Sequence, residues 1–200
     1  MKTASTLMAL MTAAALASGC AVLGGGGSKP LDTYELTAPS PTTSGRRLSR
    51  RQAIVTEPSA LKALDSENIV VRASATSLEY LDGAQWADRL PKIIQARLVE
   101  TFERSGRIGG IGKPGEGLAI DYQIIAEVRS FEIRLEGGER AQVEIAVKLL
   151  NDRNGVVRST AEFSASSPVN GAGNDEFVAA LDRAFAEVAV AIVDWALRRM

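Results

Sequence analysis

The chain has 200 residues, with 23 basic against 24 acidic side chains and a formal net charge of −1. That length suits one domain with a real core, and the near balance of charge excludes the strong basic field on which a nucleic-acid binder relies. Histidine is absent and cysteine occurs once, which excludes a Ser-His-Asp triad, histidine-ligated zinc, an intramolecular disulfide and a multi-cysteine metal site.

Lys2 gives the N-terminus a positive charge, and Leu7 to Ala17 form an apolar run. The run suits the core of a secretory signal and falls short of the about 20 residues needed to span a membrane. Leu16-Ala17-Ser18-Gly19 then lead into Cys20. This stretch is similar to the lipobox of bacterial lipoproteins, where the cysteine is acylated and becomes the first mature residue. The family prefers leucine two residues before the final small residue; here Ala17 holds that place and Leu16 lies one step upstream. The resemblance implies a signal peptide over 1–19 and acyl chains, palmitate among them, on Cys20. An ordinary cleaved signal that leaves a free thiol is the alternative. Gly24 to Gly27 and Ser28 carry little conformational preference and read as a flexible tether, so 20–32 would link the anchor to a folded body over 33–200.

Within that body, Thr33–Leu36 is a short strand candidate, ended by Pro39 and Pro41. Gln52–Val55 is a second, bounded by Pro58; Leu61–Leu64 suits one helical turn. Asn68–Arg72 and Ser77–Leu81 are the third and fourth strands, the latter stopped by Asp82-Gly83. Trp86, Leu90, Ile93, Ile94, Leu98 and Phe102 then recur at helical spacing. Pro91 belongs in the first turn of that helix, which leaves 84–89 as a separate short turn, and Gly106 ends it. The glycine-rich stretch that follows reads as a loop.

Leu118, Ile120, Tyr122, Ile124, Ala126 and Val128 alternate on even positions, whereas Phe131, Ile133 and Leu135 continue on odd ones. A phase change of one residue predicts a β-bulge near Arg129-Ser130. Gly137-Gly138 turns the chain into a strand alternating from Ala141 to Leu149, and Asn151–Gly155 turns it into another through Val157, Ala161 and Phe163. Phe177, Leu181, Phe185, Val188, Ile192 and Trp195 mark a closing helix, with Asp175 and Glu176 at its start and Arg198-Arg199 at its end, as the helix dipole favours. The expected fold is α+β: a two-layer sandwich of an antiparallel meander sheet with two amphipathic helices on one face.

The segment Glu79-Tyr80-Leu81-Asp82-Gly83-Ala84-Gln85-Trp86-Ala87-Asp88-Arg89-Leu90-Pro91 resembles the auxiliary lipoproteins of ABC-type transport systems, in which an extended segment leads to a tryptophan, a Leu-Pro step and an amphipathic helix. Tyr34-Glu35-Leu36 and Asn68–Arg72 agree with that pattern, and the resemblance spans roughly 31–200. It implies a periplasmic lipoprotein that accompanies ABC permease subunits and MCE-type substrate-binding proteins in lipid traffic between membranes. It carries no catalytic residue across. Trp86 and Pro91 match the motif; Trp86 suits a buried structural role, with contact to a ligand or partner as the alternative.

Three other signals weigh less. Gly110-Ile111-Gly112-Lys113-Pro114-Gly115 matches G-x-G-x-x-G, but a helix precedes it and a strand follows, the reverse of a dinucleotide site. Arg46, Arg47, Arg50 and Arg51 form a basic cluster near the tether; attraction to anionic lipid is one reading, and a solvated loop and strand edge is the simpler one. Glu132, Glu136 and Glu139 flank a hairpin and read as solvated.

The expected function is a non-catalytic accessory lipoprotein of an MCE-associated lipid transport system that docks a transporter component and supports membrane integrity, with no cofactor or metal. Its expected site is the cell envelope, with the domain in the periplasm. Ala21 after the cysteine favours the outer membrane's periplasmic face, because aspartate there would signal inner-membrane retention under the common enterobacterial pattern. Direct carriage of phospholipid is a further possibility. A lipoprotein that regulates a cell-wall synthesis enzyme, or a carboxylate-based envelope enzyme, would share the same outline.

Overall fold

The computed structural model describes residues 30–41 and 45–200. Leu31–Met200 form one compact unit built on a nine-stranded sheet. In chain order the strands are β1 (Asp32–Tyr34), β2 (Leu48–Val55), β3 (Ser59–Ala60), β4 (Asn68–Arg72), β5 (Leu78–Trp86), β6 (Ile108–Gly112), β7 (Tyr122–Arg134), β8 (Arg140–Asn151) and β9 (Val156–Pro168). Helix α1 (Leu90–Ser105) separates β5 from β6, and α2 (Asn174–Arg199) follows β9.

The fold is α+β as expected, but the sheet is mixed rather than antiparallel. On one edge of β7 the antiparallel neighbours β8 and then β9 follow through short turns. On the other edge, β2, β3 and β4 pair in succession, all parallel to β7, at Tyr122–Ile124, Glu127–Val128 and Glu132–Arg134. Residues 48–72 therefore behave as one interrupted strand running alongside β7. The breaks fall where Pro58 removes a ladder donor and where Leu61 starts the turn that accepts from the Leu64 and Asp65 amides. β6 then lies parallel to β2, β5 antiparallel to β4, and β1 parallel to β5. The sequence pattern cannot distinguish these directions, because alternation has period two in both.

Several local features match their residues. The register of β7 against β8 slips between Val128 and Ser130, where the hydrophobic phase changes. Pro91 lies in the first turn of α1, and Gly106 closes that helix at φ 60, a left-handed conformation that glycine adopts without strain. Two expectations are corrected. β5 continues through Gly83 to Trp86, because Gly83 at φ 73 makes an irregularity in the ladder with β4 instead of a turn. The stretch read as a glycine-rich loop contains β6: an added Cβ on Gly109 would lie 2.1 Å from the Ser49 carbonyl oxygen, so only glycine lets the two backbones pair this closely.

One continuous core joins the layers. Helix α2 packs on β8, β9 and β7, while α1 packs on β6 and β2 and touches α2. Phe131 sits between Trp86, edge-on at 5.8 Å between ring centroids, and Phe185 at 6.1 Å; Phe163 meets Trp195 at 5.7 Å. The segment after β1 straps both helices. Thr37 bonds Asp182 through its amide and hydroxyl, each at 2.7 Å, Glu35 pairs with Arg97, Arg104 donates to the Ala38 carbonyl, and Leu36 is buried beneath.

Candidate functional site

Cys20 and the Gly24–Ser28 tether lie outside the described residues. Trp86 ends β5 at 1 % exposure, and its indole meets Phe131 rather than solvent. Gly110 and Gly112 belong to β6, and the following Lys113–Gly115 form a turn whose Lys113 amide donates to the Glu116 carboxylate. That arrangement offers no helix N-terminus to a phosphate. Among the described residues no group of three or more Asp, Glu, Cys or His side chains converges as a metal site, and no helix is long and apolar enough to cross a membrane.

Charge concentrates at the end of the sheet where β7 begins. Asp121, 5 % exposed, is the organising group: its carboxylate accepts the Gln52 amide at 3.1 Å, Arg51 at 3.3 Å and Arg153 at 2.5 Å. Burial pushes its pKa up, but the Gln52 amide and the two guanidinium groups outweigh that and hold it below the usual carboxylate range. These bonds fasten the β8–β9 turn to β2. The groove beside them, ≈ 460 Å³, is lined by Arg46, Arg47, Arg50, Arg51 and Arg153. Arg46 also lines an adjoining groove with Arg107, Asp194 and Arg198 at the end of α2. The sequence showed four of these arginines as a local run; the fold adds Arg153 and the end of α2 from 100 or more residues downstream, and only proximity in space reveals that grouping.

At the opposite end of β7, Glu132 is 1 % exposed. Its carboxylate accepts Arg72 Nε at 2.6 Å and Arg134 Nε at 2.9 Å. The expectation of a solvated Glu132 is thus corrected, because β4 lies alongside and delivers Arg72 over it. Burial again pushes the pKa up, and the two arginine hydrogen bonds reverse the direction. Glu136 and Glu139 are exposed as expected. The face of β8 turned away from the helices carries Gln142, Glu144 and Lys148, a polar surface bonded across to β9 through Gln142–Ser164. Among the described residues no strand pairs with the outer edge of β9.

The model of the ABC-type transport auxiliary lipoprotein component family matches residues 34–193. The chain belongs to that family. The match begins at the end of β1 and ends in α2, so it takes in Glu132, Asp121 and Arg46 to Arg51 but stops short of Arg198. Among solved structures, protein XCC0632 of Xanthomonas campestris is 27 % identical, with a TM-score of 0.77 over 84 % of this chain and 95 % of that one. A second, described only as an uncharacterized protein, has a TM-score of 0.66 at 18 % identity, covering 84 % and 99 % of the two chains, and shows the fold alone. An uncharacterized protein of Bradyrhizobium diazoefficiens is 26 % identical over 172 residues, 86 % of this chain. The chain spans about half of that relative, 46 % of its length. The family places the chain among accessory lipoproteins of ABC-type transport and so with the cell envelope.

Proposed function

We propose that this auxiliary lipoprotein serves an MCE-type lipid transport system, held to a membrane by acyl chains on Cys20 and docking a periplasmic transporter component through its folded body. The family match over 34–193 carries this reading. The chemistry of the body is consistent with it. The buried carboxylates Asp121 and Glu132 are each occupied by arginines, so neither is free to act as an acid or base, and the role proposed is non-catalytic. The outer membrane's periplasmic face is the proposed site, and more than one acyl chain would be needed for stable anchoring, since each buried CH₂ contributes ~0.8 kcal/mol.

Crosslinking in intact cells followed by affinity capture of the full-length protein tests the partner. Recovery of MCE-type and permease subunits supports the reading; recovery of cell-wall synthases in their place would overturn it. Metabolic labelling with a palmitate analogue tests the anchor separately. Label should appear on the wild type and vanish in Cys20→Ala; label that persists in the variant refutes acylation at this residue.

A further inference from the structure

We propose that the arginine-rich end of the sheet is a second membrane contact, a surface that seats the folded body on anionic phospholipid headgroups. The charge there is uncompensated. Asp121 serves Arg51 and Arg153, and Asp194 serves Arg107 at 2.8 Å. Arg46, Arg47 and Arg50 have no carboxylate partner among the described residues, and segments 1–29 and 42–44 contain no Asp or Glu to supply one. All three are exposed, as are Arg198 and Arg199 on the neighbouring end of α2.

Apolar surface accompanies the charge. Val156 and Val157, 57 % and 46 % exposed, open β9 directly after the turn that carries Arg153. The next residue, Arg158, donates to the Arg199 carbonyl at 2.6 Å, which fixes the valines beside the α2 arginines. Arginines around exposed aliphatic side chains suit a bilayer interface, where cations meet phosphates and methyl groups enter the headgroup boundary. An acidic protein surface would satisfy the cations but would leave the valines without a matching environment.

Reach is compatible with the bilayer as the occupant. β1 pairs with β5 at the level of Asn68, which corresponds to Ser130 on β7, eight residues from Tyr122 at the basic end. Leu31, two residues before Thr33 on a strand antiparallel to β7, sits at the level of Glu132; at ~3.3 Å per residue along the strand and ~4.8 Å for each strand spacing it lies about 36 Å from that end. The chain from Cys20 to Leu31 extends at most about 40 Å. An acyl group on Cys20 and the arginine-rich end can therefore touch one bilayer together. The contact does not depend on which transporter the protein serves, so its failure and that of the transport reading are separable.

The test uses the full chain carrying Cys20→Ser, mixed with phosphatidylcholine vesicles with or without phosphatidylglycerol. The N-terminus, with Lys2, is the same in every variant, so the change in vesicle preference between the parent chain and its arginine variant reads the charged surface. Wild-type sequence at the arginine positions should prefer the anionic vesicles, and salt should erase the preference. The variant Arg46→Gln/Arg47→Gln/Arg50→Gln should lower that preference on the order of 100-fold while melting normally, since its three sites are exposed. Val156→Ser/Val157→Ser should weaken anionic-vesicle binding several-fold but leave binding of polyglutamate unchanged. Equal partition of the parent chain between vesicle types, or an undiminished preference in the triple variant, overturns the proposal. So does polyglutamate binding as tight as that of the anionic vesicles, which would assign this end to an acidic protein.

Discussion

Replacing Glu132 by glutamine tests how far a buried carboxylate supports the junction of β4 and β7. Glutamine keeps an acceptor oxygen, so Arg72 and Arg134 can still donate, but to a neutral group. A hydrogen bond to a charged partner contributes about 1 kcal/mol more than a neutral one, and two are affected. The glutamine amide adds a buried donor with no acceptor in place, which costs about 1 kcal/mol more. The arginine side chains are about one-third exposed, 30 % and 35 %, so screening reduces the sum to about 2 kcal/mol. For a domain of this size that is a fall in Tm of about 4–8 °C. The pH dependence gives a sharper signature. The folded pKa of Glu132 lies below its ordinary value, because the arginine hydrogen bonds outweigh burial. Its contribution is therefore complete above the ordinary carboxylate range and fades as pH falls through the lowered folded value. Urea denaturation of wild type and Glu132→Gln should show the full gap at neutral pH and a closing gap in acid. Equal stability at neutral pH, or a gap that persists undiminished in acid, would falsify the assignment of Glu132 as an ionised, paired group.

Two further outcomes follow from the packing. Gly109→Ala should loosen β6 from β2, because the new Cβ would lie 2.1 Å from the Ser49 oxygen, with a loss of about 1–3 kcal/mol and faster amide exchange in both strands; stability within about 0.5 kcal/mol of wild type would show that the strands can part without cost. The Tyr34 hydroxyl donates to Asp175 at 2.7 Å, and that bond, with burial and the nearby carboxylates, pushes the phenol up to about 12. Asp175→Asn should bring it back toward 10.0, read as tyrosinate absorbance against a Tyr34→Phe control; an unchanged titration would place the cause elsewhere.

Much of the fold was legible where one residue decides a local geometry. The phase change at Arg129-Ser130 located the bulge in β7, and Pro91 and Gly106 marked the ends of α1. Gly83 and Gly109 misled for a shared reason. Glycine marks a turn, a bulge or a close backbone approach equally well, and only a neighbouring strand says which. Glu132 was misread because a charged residue in a strand defaults to the solvated face. Its partner Arg72 lies 60 residues upstream, and nothing local pairs the two.

The candidate surface divides in the same way. The run Arg46, Arg47, Arg50 and Arg51 was visible as a cluster, but a run of cations on a strand end is usually just solvated. What turns it into a surface is the arrival of Arg153 and the end of α2, held through Asp121 and the Arg158–Arg199 bond. The sequence alone determined both helices, most of the strands, the bulge and the family resemblance supported by the match over 34–193, because periodicity, proline and glycine act within a few residues. Strand direction, the interrupted path of 48–72 beside β7, the burial of Glu132 and the gathering of the arginines were decided only in the tertiary structure. Those depend on which distant segments share an edge of β7, and alternation of side chains is the same whichever way a neighbouring strand runs.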